Sequence, residues 1–424
     1  MTSIGHFLKE GLPFILVFGA IFSIGVLEYD SKREHGKKPT FYQAYYEPAV
    51  RMACGQPFSV DRSENISDEL SLFLKTEIDT LSCEYVDEPE DFESNPFQRS
   101  WYHKMWVVAQ IWKVTGISWR AIDELAVGLL ALSGVMIFAM FRLFTPVPIA
   151  FFLSIISILP ALKWLHYFRD ISKAPFILAA VFVSVWLVLK VPTRTKLLAS
   201  MALLGLWLGI GYGFRPDALI VIPLLIIALF LFRTDSLKKE WFESSLAAMV
   251  LLVAFVFAAS PAYLPSASDL GSCTWHFGLL GRSDTHTALL GLRPADYSLL
   301  THLNDQFQWL AVESYANRVH SVTSTGYCTP LYDQWGRRLY FDSIATVPAD
   351  FIVRALSSLR LVLGYGYTDI FPGLDSVHKE LVRYLSILFW GIAIAVILAW
   401  KTRVGLFVVF TLGFLGAYPA IQFE

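Results

Sequence analysis

Three short stretches of this chain place acids and bases where apolar runs stop. Glu28 and Asp30 follow the first run; Arg169, Asp170 and Lys173 stand together in HYFRDISKAPF, residues 166–176; Arg215 and Asp217 close GIGYGFRPDA, residues 209–218. Glu47 and the adjacent Asp123 and Glu124 are further acids near such ends. An ionisable side chain at membrane depth costs roughly a few kcal/mol or more, so these groups carry a functional expectation. A carboxylate held there is suited to take a proton from, or orient, an acceptor amine or hydroxyl. Arg169 and Lys173, four residues apart, share one face of a helix, and with Arg215 they are suited to grip a lipid-linked phosphate. Each group also has a plain structural reading: Arg169 and Asp170 reach for water at the interface, Ser172 caps a helix with Pro175 in its first turn, and Arg215 pairs with Asp217 across its own turn.

The elements that must position these residues follow from hydropathy. The 424 residues are 55% hydrophobic and 17% charged, and mean hydropathy is +0.51. Soluble domains carry about 25% charged residues, so water is not this chain's only solvent. The apolar excess falls in nine windows, about 12–28, 122–142, 147–162, 174–189, 197–213, 218–232, 244–262, 380–400 and 405–420. About 20 residues rising about 1.5 Å each cross about 30 Å of hydrocarbon. Lipid offers backbone amides no partner, and runs such as Leu219–Phe232 do not alternate as barrel strands do, so the spans are helical. The expected fold is an all-α polytopic membrane protein of about nine transmembrane helices with two large external loops. A net charge of −2 argues against nucleic acid as a partner.

Charge orients the bundle. One set of short loops carries Arg142, Lys190, Arg194, Lys196, Arg233, Lys238, Lys239, Lys401 and Arg403, the opposite set only Lys163, Arg169, Lys173 and Arg215. The positive-inside bias puts the first set and the N-terminus in the cytoplasm, although Lys32, Arg33, Lys37 and Lys38 run against it. The expected organisation is an uncleaved anchor at 1–28, a first external loop at 29–121, a six-helix membrane core at 122–262, a second external loop at 263–379 and C-terminal helices at 380–424, after which a further domain is expected to be missing. All four cysteines, Cys54, Cys83, Cys273 and Cys328, fall in the two long loops, which suits one disulfide per loop in an oxidising compartment. Four buried free thiols are the alternative.

Within the first loop, FYQAYYEPAV, residues 41–50, predicts a short amphipathic helix ending at Gly55. Trp101, Tyr102, Trp106, Trp112 and Trp119 predict an aromatic belt on a helix at the headgroup level. Residues 346–366 of the second loop predict another interfacial helix. Glycines 205, 209, 211 and 213 offer a small-residue face for close helix packing. Phosphate-binding glycine loops, dinucleotide fingerprints, H-E-x-x-H and C-x-x-C are all lacking, and no internal repeat emerges.

The acidic pair Glu28 and Asp30 followed by YYEPAVRMACGQPF (45–58), the stretch IWKVTGISWRAIDEL (111–125), FRDISKAPF (168–176) and GIGYGFRPDA (209–218) resemble the GT-C class of integral-membrane glycosyltransferases, which includes protein O-mannosyltransferases, the lipid A aminoarabinose transferase and oligosaccharyltransferases. The resemblance covers about residues 30–235; a basic insert, Ser31–Pro39, separates Asp30 from the aromatic helix, leaving Asp30, Glu28 and Glu47 as candidates for the first-loop acid. It implies an inverting sugar transfer from a polyprenyl-phosphate donor to a lipid, glycan or protein acceptor at the external face, in a bacterial inner membrane. Asp170 and a first-loop acid would be catalytic, and Arg169, Lys173 and Arg215 would hold the phosphate. A divalent cation, Mg or Mn, is required by some members of the class only. Readings of other classes are a transporter or lipid flippase, and a non-enzymatic scaffold.

Overall fold

A computed structural model of the chain describes residues 2–34, 43–59, 66–87, 96–190, 192–232, 237–263, 275–276, 278–279, 305–322, 324–326, 329–349, 352–353, 355–356, 359, 376–400 and 402–421. The fold is almost wholly helical and divides into two units, Met1–Leu264 and Pro265–Glu424.

Among the described residues, five helices of the first unit are long and apolar enough to cross a membrane, over Gly11–Ser31, Trp119–Arg142, Phe168–Leu189, Arg194–Tyr212 and Trp241–Ala262. The first lies within α1 (Thr2–Glu34), and α6 (Trp119–Arg142) packs along it. Close approach depends on glycine: a Cβ on Gly134 would lie 2.0 Å from Ile21 Cδ1, and one on Gly25 would lie 2.7 Å from Val127 Cγ1. Next to α6 stands α9 (Ala174–Leu189), then α10 (Arg194–Tyr212), then α12 (Leu237–Tyr263). At the α10–α12 crossing, a Cβ on Gly205 would meet the Leu251 carbonyl at 2.4 Å, and one on Gly209 the Phe255 carbonyl at 2.6 Å. Two glycines four apart thus let the backbones touch, as the glycine spacing predicts. Ile15, Leu16, Leu27, Leu203, Val253, Val256 and Phe257 point outward and exposed, an arrangement suited to lipid and costly in water. The first unit is membrane-embedded.

Two further apolar helical stretches of the first unit are shorter: Val147–Leu162 and Ala218–Phe232. In the first, α7 (Val147–Ile158) tightens into a 3-10 turn over Leu159–His166. In the second, a 3-10 turn at Pro216–Ile220 leads into α11 (Val221–Ile227), which widens into π winding over Ala228–Phe232. Such widening frees carbonyls, and Ser244 of α12 donates its hydroxyl to the Leu229 carbonyl at 3.1 Å.

Residues 43–118 form a small module outside these helices. It comprises α2 (Glu47–Ala53), α3 (Asp68–Leu74), α4 (Pro96–Arg99), α5 (Tyr102–Thr115) and an antiparallel pair of strands, β1 (Thr80–Leu81) and β2 (Ile117–Ser118), with Leu81 opposite Ile117. Ser67 caps α3 by accepting from the Leu70 amide at 3.3 Å. Gly55 and Gly116, both at φ 85°, end α2 and α5 in a conformation that glycine adopts readily. The Gly55 stop falls where the sequence predicts it.

The aromatic residues of this segment have a different job from the one expected. Trp101, Trp112 and Trp119 are buried; Phe73 stacks on Trp119 with centroids 4.4 Å apart, and Tyr46 meets both Trp112 and Trp119 edge-on or tilted. The Trp112 indole donates to Ser118 O at 2.8 Å and that of Trp119 to Phe73 O at 3.1 Å. These rings are the module's own core rather than a headgroup belt, and only Trp106 of the five is largely exposed. Burial with no hydrogen-bond partner pushes the Tyr46 hydroxyl far above the ordinary tyrosine range.

Cys54 and Cys83 are joined by a disulfide, with Cα atoms 5.4 Å apart across 29 residues of chain. Closing a loop of that length stabilises by about 3–4 kcal/mol on the chain-entropy account. Cys54→Ser is therefore expected to lower the denaturant midpoint of the module, followed by protease resistance of residues 47–118; an unchanged midpoint would show that the aromatic core alone sets its stability. Cys273 and Cys328, and more than half of residues 346–366, lie outside the described residues.

In the second unit, α13 (Asp305–His320) packs on α14 (Pro330–Thr346) around Val312, Ala316, Tyr332, Trp335 and Tyr340. Tyr315 donates to Asp342, which with burial pushes the phenol up to about 12. Two apolar helices, α15 (Ser376–Trp400) and α16 (Thr402–Ile421), pack on each other.

Candidate functional site

The predicted residues of two separate stretches meet at one end of the first unit's helices. The short helix α8 (Phe168–Ile171) buries Phe168 and Ile171 and leaves Arg169 and Asp170 on its other side. Ser172 closes this turn by donating to the Arg169 carbonyl at 2.9 Å; α9 begins after Lys173 with no side-chain cap, so Ser172 is not the cap that its place before Pro175 suggests.

Arg215 enters from the far end of α10. Its backbone is extended, at φ −162°, as a residue before proline prefers. Its guanidinium forms an ion pair with the Asp170 carboxylate. Forty-five residues separate the partners, and glycine closes the gap between their helices. A Cβ on Gly211 would lie 2.6 Å from the Phe176 ring, and Phe176 also packs on Trp207 and Phe214, at 4.7 and 5.1 Å between centroids. Drawing the start of α9 onto the end of α10 carries α8, and with it Asp170, to Arg215. Arg215 therefore pairs across the bundle; the side chain of Asp217, its partner on the local reading, lies outside the described residues. The two partners differ in surroundings: the Arg215 side chain is 2% exposed and that of Asp170 is 43% exposed.

The module of residues 43–118 is fastened to the same place. The Lys104 amide donates to the Gly213 carbonyl at 3.1 Å, and a Cβ on Gly213 would collide with the His103 ring, 1.9 Å from Nδ1. Burial holds the His103 imidazole below the ordinary histidine range. Lys104, fully buried, sets its ammonium 3.4 Å from the centre of the Trp101 ring, and the Arg169 guanidinium lies 5.9 Å from that same ring. Arg99 sits between Phe58 and Tyr102, at 5.0 and 4.9 Å from their centroids. Desolvation lowers its pKa. Such cation–aromatic contacts are worth up to about 2 kcal/mol when desolvated. The sequence reading misses Lys104, Trp101 and Arg99 as members of this cluster. A lysine two residues before Trp106 and three after Trp101, inside an aromatic helix, was the available signal.

The first-loop acids separate in role. The C-terminal part of α1 reaches the same end of the bundle, where the Tyr29 hydroxyl donates to the Leu165 carbonyl at 2.5 Å, five residues before Asp170. Glu28 is half-buried and Asp30 exposed on either side of that tyrosine. Glu47 corrects an expectation. It lies inside the module, buried, in an ion pair with Arg51 one turn on at 2.7 Å, while Arg51 also donates to Gln56 Oε1 at 3.0 Å and to the Asp87 carbonyl at 2.8 Å. A carboxylate locked in this way holds α2 to the loop beneath it, which gives Glu47 a structural role.

Among the described residues no group of three or more His, Cys, Asp and Glu side chains could hold a metal ion. The acid at the centre of the cluster, Asp170, is matched to a guanidinium, a donor set that does not fit a divalent cation.

No family model, curated protein or solved structure matches the chain.

Proposed function

We propose that this protein is a membrane glycosyltransferase of GT-C type, with about nine spans, that moves a sugar from a polyprenyl-phosphate donor to a lipid, glycan or protein acceptor at the external face of a bacterial inner membrane. The observation that carries the reading is the Asp170–Arg215 pair, with Arg169 beside it and Lys104 across the Trp101 ring, at the helix end that the C-terminal part of α1 also reaches.

The chemistry asked of these groups balances. An acceptor O–H or N–H gives its proton to a carboxylate, Asp170 or Asp30, as its heteroatom bonds to the anomeric carbon. The bond from that carbon to the phosphate oxygen breaks, and the phosphate leaves with the electron pair toward Arg215, Arg169 and Lys173. Fixed cations aimed at a leaving anion in a water-poor site stabilise the transition state more than the ground state. Location favours this reading over a transporter or flippase, whose polar groups belong near the midplane. Here Asp170 precedes α9 and Arg215 follows α10. A scaffold has no need of a buried guanidinium matched to a half-exposed acid.

Purified protein in liposomes containing a polyprenyl-phosphate sugar tests the reading. Asp170→Asn and Asp30→Asn are each expected to abolish transfer while the protein still inserts, Asp170→Asn with a lower unfolding midpoint because it leaves the buried Arg215 without its acid. Full turnover in both variants would remove the acid–base assignment.

A further inference from the structure

We infer that Arg215 is an exchange point at which the phosphate group of an incoming lipid takes the place of Asp170, so that donor binding itself frees the carboxylate that acts on the acceptor. This rests on the sugar-transfer reading and adds an order of events to it.

The inequality of the two partners is the starting observation. A guanidinium that is 2% exposed needs an anion at all times, because an uncompensated buried charge is severely destabilising. A carboxylate that is 43% exposed has no such need, since water solvates it when the pair opens. Asp170 is therefore the replaceable member, and Arg215 the fixed one. The mounting of Asp170 agrees. It rides on a four-residue helix between a 3-10 turn and the start of α9, anchored on the opposite side by the buried Phe168 and Ile171, so the carboxylate can leave by side-chain rotation with the backbone in place.

The surroundings favour the newcomer. Arg169 adjoins Asp170 in sequence and lies over the same indole as Lys104, so two further cations stand on the Trp101 ring beside this short helix. A phosphate with more charge and more acceptor oxygens than a carboxylate gains more from that field. Before the donor arrives Asp170 neutralises Arg215 and is held away from the acceptor; afterwards it is a free base next to the newly bound phosphate. The donor then binds before the acceptor is activated.

The test titrates full-length protein in detergent with farnesyl phosphate and, in parallel, with inorganic phosphate. Asp170→Asn, which removes the competing charge and keeps an acceptor oxygen, is expected to bind farnesyl phosphate about tenfold more tightly than wild type, equivalent to about 1.4 kcal/mol, although its sugar transfer is lost. Asp170→Ser should move affinity in the same direction, so the result does not hang on one substitution. Adding Arg215→Gln to Asp170→Asn should erase the gain. Wild-type protein that binds farnesyl phosphate, with Asp170→Asn binding no better, overturns the exchange and leaves the phosphate site standing. Failure of every variant to bind either probe overturns the sugar-transfer reading along with it. An equal gain toward inorganic phosphate keeps the exchange and overturns the lipid as its agent.

Discussion

Arg215→Ala should lower sugar transfer by about 10²- to 10³-fold, the range seen when one preorganised donor to a developing anion is removed. The argument turns on which charge is left behind. Deleting the guanidinium strands Asp170, which is 43% exposed and rehydrates, so the fold tolerates the loss better than it would tolerate a buried arginine stripped of its acid. The deficit should therefore appear in catalysis and donor binding, with insertion and elution kept. Kinetics with a short-chain polyprenyl-phosphate sugar check this, with acceptor preference as the internal control. Normal donor affinity in the variant would reassign Arg215 to holding α10 against α8.

Glu47→Gln should do the opposite. Its carboxylate is buried against Arg51, and breaking such a pair by removing one partner costs about 3–5 kcal/mol; the bonds from Arg51 to Gln56 and the Asp87 carbonyl place this case at the lower end. The expected result is faster amide hydrogen exchange across residues 47–56 and an earlier unfolding of the module, with turnover per folded molecule unchanged. A variant that is stable yet inactive would return Glu47 to the catalytic acids.

The two variants separate residues that the sequence presents as alike. Glu47, Asp30 and Asp170 are all acids near the ends of apolar or aromatic runs, and one-dimensional pattern cannot say which side chain finds a cation inside its own helix. Glu47 finds Arg51 four residues on, while Asp170 finds Arg215 across a helix crossing. The tryptophans divide on the same ground. Their spacing fits a membrane-surface belt and a packed core equally well, and only the contacts of Phe73, Trp112 and Trp119 with one another decide for the core.

The long helices were legible because hydrocarbon thickness sets a length that an apolar run either meets or does not, and the close crossing of α10 on α12 was legible because glycine spaced at four admits few other uses. Hydropathy counts residues and is blind to how they wind, so the 3-10 turn after α7 and the π winding after α11 emerged only with the backbone. The amino-acid order alone thus determined a membrane-embedded helical protein and the acids and bases available to it. Tertiary structure decided which of them meet, because pairing in a low-dielectric site depends on distance and burial, and both are properties of the packed bundle.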